Sequence, residues 1–201
     1  MAKIFGVVKD FNDNILRNAD VYVKDRDGNN IYEAKTNENG YYEIEIKEKN
    51  NFSIFIVKDY AVNYLEYLGT NISIIKDIEL NAKIGGLEIY GLNCFRIKGA
   101  YPSLSIYFRP MSLLRYKNLD ENTRSDLEKD NIKITINDEK VKILYVNKVK
   151  EYLPEDNLDG YLVQVSLPNN TKYEDYNKIE VEVYDKETKE KGMALTFWKD
   201  L

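Results

Sequence analysis

Apolar and polar residues alternate with a period of two along most of this chain. Only a strand sends successive side chains to opposite faces, so the alternation restricts the fold to sheets. Ile4, Gly6 and Val8 share one face of KIFGVV, and Val21 and Val23 share one face of ADVYVKD. Tyr42, Ile44 and Ile46 point inward from YYEIEIK, as do Phe52, Ile54 and Ile56 from NFSIFIV. Two turn dipeptides, Asp27-Gly28 and Asn39-Gly40, tolerate the positive φ angles of tight turns and are expected to close hairpins. The stretch from Asp25 is no calcium loop, because the required glycine position holds Asn30 and the bidentate glutamate position holds Thr36.

Gly85-Gly86 is the only Gly-Gly pair, and the strand pattern pauses there. Beyond it, alternation resumes in Leu104/Ile106/Phe108, Ile132/Ile134/Ile136, Val163/Val165/Leu167, Ile179/Val181/Val183 and Leu195/Phe197. The polar segment 118–131 breaks the rhythm, and one short helix is expected near 118–130, with Leu119 and Leu127 on its buried side. Short strands separated by turn signals indicate sandwiches. The expected fold is all-β, two consecutive β-sandwich domains at 1–83 and 88–201 joined by a linker at 84–87, the second Ig-like. A length of 201 residues suits one large core or two small ones.

Residues 4–44 carry a more particular pattern. Ile4-Phe5-Gly6-Val7-Val8 is followed by Asp10, then Leu16, then Ala19-Asp20-Val21-Tyr22-Val23, then Thr36-Asn37-Glu38-Asn39-Gly40 and Tyr42. This resembles the carboxypeptidase regulatory-like domain, a prealbumin-like β-sandwich, closely over about 40 residues and loosely to about residue 82. The usual turn glycines are replaced by Asp13 and Asn18, and the usual proline by Ile15. Asp and Asn best tolerate left-handed backbone, so the fold survives these changes. The resemblance implies scaffold or accessory work without catalytic residues. A sibling family, the collagen-adhesin B-type repeats, forms Lys–Asn isopeptide bonds. That chemistry is not expected of Lys9, because the later strands show no acid on an apolar face with a matching Asn. Beyond Gly86 no family is recognised.

Composition removes further functions. With no histidine and a single cysteine, Cys94, there is no Ser-His-Asp or Cys-His arrangement, no His-ligated metal site and no intrachain disulfide. Neither GxxxxGK[ST] nor GxGxxG occurs. The net charge of −5 comes without a basic block, which disfavours nucleic acid. The acids mostly alternate outward on strands. The expectation is therefore a non-enzyme with no cofactor and no metal. Many of the 17 tyrosines follow from strand propensity and A/T-rich codons.

The segment 100–116 combines Tyr101, Tyr107, Arg109, Met111, Arg115 and Tyr116, the residue types enriched at protein interface cores. These six are the candidate docking residues. The competing reading is a core strand with Arg109 held by a local carboxylate. Trp198 is expected to plug the second sandwich. The N-terminus lacks an apolar run of signal-peptide length and no membrane span is evident, so the chain is expected to stay where it is made. Taken together, these readings lead to a structural subunit whose partners are other protein subunits or itself. Reconciling a surface-type sandwich with a chain showing no export signal leads to a phage virion or phage-tail-like particle. The alternative is a module that binds a carbohydrate or surface polymer.

Overall fold

The computed structural model describes residues 2–47, 51–74, 76–99, 101–118, 123–151 and 159–200. The first part of the chain supplies β1 (Ala2–Asp10), β2 (Asp20–Lys24), β3 (Asn30–Lys35), β4 (Tyr41–Ile46), β5 (Asn51–Val57), β6 (Tyr67–Ser73), β7 (Ile78–Glu79) and β8 (Ala82–Ile84). The second supplies β9 (Leu87–Phe95), β10 (Ser103–Ser112), α1 (Leu113–Lys117), β11 (Ile132–Ile136), β12 (Glu139–Lys140), β13 (Ile143–Lys150), β14 (Asp159–Ser166), β15 (Asn177–Tyr184) and β16 (Lys191–Trp198). The fold is all-β, layered in sheets, with one short α-helix.

The expected inward faces are the buried ones. Ile4, Val8, Val21, Val23, Tyr42, Ile44, Ile46, Phe52, Ile54 and Ile56 form one core with Leu80, Ala82 and Ile84. Leu104, Ile106, Phe108, Ile132, Ile134, Ile136, Val163, Val165, Ile179, Val181 and Val183 form a second, which Trp198 joins. The motif positions of the first 44 residues all have structural work. Asp10 Oδ1 accepts from the backbone N–H of Asn12 and Asn14, closing the turn in which Asp13 stands at φ 64°. Thr36 Oγ1 donates to Leu16 O at 2.6 Å and accepts from Ala19 N at 2.8 Å, holding two crossing segments together. Asn18 is left-handed at φ 55°. Tyr42 fills the core and its hydroxyl donates to Leu80 O at 2.7 Å.

Two features depart from the expectation. Asp27-Gly28 does close a hairpin, β2 to β3, but Asn39-Gly40 does not. Asn37 Oδ1 gathers the N–H groups of Asn39 and Tyr41, Gly40 sits at φ 68°, and the turn carries the chain from one sheet to another. Tight-turn chemistry fixes a reversal and not the partner of the next strand. The helix lies at Leu113–Lys117, just ahead of the polar segment, and a 3-10 turn occupies Lys129–Asn131. Leu119 lies outside the described residues. Ser112 caps the helix by accepting from Arg115 N, and Glu190 accepts from Leu114 N at 3.0 Å and from the Ser112 hydroxyl.

The two cores share a sheet. The largest sheet runs β12-β11-β15-β16-β6-β5-β2-β3 and crosses from second half to first where β16 lies parallel to β6. Leu195 pairs with Gly69 and packs in the first core, whereas its neighbours Ala194 and Trp198 pack in the second. Period-two alternation thus lets one strand serve both cores, one from each face. The smaller sheets, β4-β1-β7 with β8 on β1, and β13-β14-β10-β9, therefore cover opposite faces of the large one.

Gly85 is wedged into this junction. Leu65 N donates to its carbonyl at 2.8 Å, and a Cβ there would lie 2.2 Å from Lys191 O. Backbone cannot yield as a side chain can. We expect Gly85→Ala to lower stability by about 1–3 kcal/mol, the usual range for overpacking, read from the midpoint of a urea unfolding curve.

Candidate functional site

Strand β10 is buried on one face by Leu104, Ile106 and Phe108, which directs Tyr107, Arg109 and Met111 to the other. There they meet a carboxylate that the sequence did not identify. Glu151 accepts from the Tyr107 hydroxyl, and its Oε2 lies 3.3 Å from Arg109 Nη1 and 3.6 Å from Arg124 Nη2. Burial first, then the hydrogen bond to Glu151, pushes the Tyr107 hydroxyl up to about 12. Burial and the neighbouring Arg109 charge lower the Arg124 guanidinium from its ordinary range. Met111 bridges to Arg124 and pairs across to Glu88. Tyr107 and Arg109 are thus engaged within the chain, in agreement with the reading that Arg109 is held by a local carboxylate.

The other three candidates lie elsewhere. Arg115, on α1, turns to Asp185 at 3.5 Å and to Glu187. Tyr101 is exposed ahead of β10, and Tyr116 is exposed beyond its far end. Ten residues separate these ends, and at roughly 3.3 Å per residue the strand is about 33 Å long. The six residues do not form one patch.

Two clusters escaped the sequence reading. In the first, Glu88 is 1% exposed and faces Glu66, Tyr60 and Tyr90, with the Tyr60 hydroxyl 3.3 Å from its Oε2. Burial, then the charge of Glu66, raises the Glu88 carboxyl to about 8, and burial raises Glu66 as well. Glu88 stands in LEIY, where alternation reads it as a solvated acid, and no sequence signal shows that Tyr60 covers it. The second cluster is apolar: Tyr60, Val62, Leu114 and Tyr116 are 46, 62, 43 and 53% exposed. They come from two segments tied together where Lys117 Nζ donates to Val62 O, while Leu65 N and Leu113 N donate to the adjacent carbonyls of Gly85 and Gly86.

Among the described residues no group of three or more His, Cys, Asp or Glu side chains could hold a metal. Burial pushes the Cys94 thiol far above its ordinary range, away from the reactive thiolate. No helix among the described residues is long and apolar enough to cross a membrane.

No family model matches the sequence, and no curated protein matches it significantly. Among solved structures, the chain is similar to the major pilin subunit BcpA of Bacillus cereus, at 11% identity and a TM-score of 0.33, covering 98% of this chain and 69% of that one. It is similar to a putative carbohydrate binding protein from Bacteroides uniformis, at 10% identity and a TM-score of 0.34, covering 98% of each chain. It is also similar to the full-length major pilin SpaD of Corynebacterium diphtheriae, at 8% identity and a TM-score of 0.32, covering 97% and 65%. Likenesses this distant carry no argument about activity.

Proposed function

We propose that this chain is a non-catalytic structural and interaction protein, two sandwiches (1–83 and 88–201) sharing one sheet, which docks a protein partner through Tyr60, Val62, Leu114 and Tyr116. The exposed apolar cluster carries this reading. Scattered surface apolar residues are ordinary, but four on two segments that the Lys117 to Val62 hydrogen bond ties together have the make-up of an interface centre. The resemblance of residues 4–44 to carboxypeptidase regulatory-like domains supports scaffold work, since each motif residue is spent on turns and packing. Tyr116 is retained from the six sequence candidates, and Tyr107 and Arg109 become its structural support. A phage virion or phage-tail-like particle is one setting for such a subunit, and a cell surface is the other.

The test is Leu114→Asp combined with Tyr116→Ser. Both side chains are substantially exposed, so folding should change by no more than about 0.5 kcal/mol. We expect the double variant to lose self-association in light scattering, or capture of the partner from the native source, with its circular dichroism spectrum unchanged. Retention of both by the variant would remove the patch from consideration.

A further inference from the structure

Because the small sheets cover opposite faces of the large one, each half leaves a bare face beside the other half's covering sheet. On the bare face of β5 and β6 this makes a cleft of about 370 Å³, within the roughly 300–1,000 Å³ of small-molecule sites. Asn51 and Asn71 enter it from β5 and β6, Asn93 and Phe95 from β9, Thr196 from β16, and Tyr176 from the turn before β15.

Most of the polar groups here are neutral, and two of the carboxamides are poorly satisfied from within. The carboxamides of Asn51 and Asn93 have no hydrogen-bond partner among the described residues. Asn71 sits at φ 54° beside a break in the β5–β6 register, a bulge that turns its side chain toward Thr196. Its Nδ2 donates to Thr196 Oγ1 at 3.3 Å. The Arg96 and Asp200 charges at the rim neutralise each other at 2.7 Å, and Lys199 adds one positive charge to the lining. Phe95 presents an exposed ring. The cleft on the opposite face is of another kind. Its lining is strongly charged, with Lys9, Lys83 and Lys133 against Asp13, Glu79, Glu180 and Glu182, and Lys83 and Lys133 pair with Asp13 and Glu182 at 2.8 and 3.4 Å.

From this lining we infer that the Asn51–Asn71–Asn93 cleft binds a neutral saccharide. A carboxamide offers a donor and an acceptor side by side, matching hydroxyls that both give and take hydrogen bonds. An exposed ring beside them suits the apolar C–H face of a pyranose, and the three carboxamides and the Thr196 hydroxyl outnumber the one unbalanced charge, Lys199. This inference goes beyond the docking reading and uses different residues.

Trp198, the chain's one tryptophan, lines the cleft and serves as its reporter. The intact chain is screened on a glycan array, then titrated by tryptophan fluorescence with neutral cellulose-, xylan-, starch- and chitin-type tetrasaccharides. We expect a saturable one-site signal with at least one of them. Asn71→Gly keeps the left-handed backbone while removing the carboxamide, and with Asn93→Ala it should weaken binding about tenfold without altering the melting temperature. Phe95→Ala should weaken it too, whereas Leu114→Asp with Tyr116→Ser should leave it unchanged. Absence of saturable binding on the array and in the titrations would overturn the inference. So would binding insensitive to the cleft substitutions, or preference for a peptide or a sulfated polymer.

Discussion

Leu195→Ala should lower the free energy of unfolding by about 2–5 kcal/mol and shift the melting of both halves together. The side chain is 1% exposed and packs in the first core, yet it belongs to a strand whose other face holds Ala194 and Trp198 in the second. Removing it opens a cavity beside Gly69, Ile54 and Ile72 on the strand pair that joins the two sandwiches. Far-UV circular dichroism reports both halves, and Trp198 fluorescence reports the second core. The two probes should give coincident transitions in the parent and in the variant, displaced to the same lower midpoint. If fluorescence held its midpoint while ellipticity fell earlier, the halves would be independent and the shared-strand account would fail.

Stability should also decline as pH rises, through Glu88. Its carboxyl is raised to about 8 from an ordinary 4.5, by burial and then by Glu66. Below about 4.5 the acid is protonated in both folded and unfolded chains, so the contribution is fully present. Between there and about 8 the unfolded chain gives up the proton while the folded chain keeps it, and stability drains away. Above about 8 both forms are ionised and the loss levels off, at a total on the order of several kcal/mol. The groups facing the carboxyl are Glu66, Tyr60 and Tyr90, with Lys24 acting on Glu66. Glu88→Gln should flatten the slope of unfolding free energy between pH 5 and 9. Parallel slopes for parent and variant would show that another group sets the dependence.

The buried faces were legible because burial follows the strand period, and the period is local. Sheet membership was not. Thr70 and Thr196 touch at 2.9 Å across 126 residues, and nothing near either one announces the pairing. The turn at Asn39-Gly40 was legible as a turn, but its chemistry is the same whether the next strand pairs with the last or leaves for another sheet. The candidate site was half legible for a similar reason. Alternation correctly put Tyr107 and Arg109 on one face, but their partner Glu151 is more than 40 residues away. Helix α1 was missed because its N-terminal support, Glu190, lies 76 residues from the N–H it receives. The polar run that follows α1 looked the better helix.

The strand that joins the two sandwiches is made long after the strand it pairs with, since Thr70 and Thr196 stand 126 residues apart. While the ribosome is still translating, β6 has no neighbour on the side that β16 will occupy, and the first core lacks Leu195. An open edge of that kind is a template for pairing with other nascent chains. Vectorial synthesis therefore leaves the first sandwich incomplete until β16 emerges, and chains released short of β16 should be the ones that chaperones and proteases find.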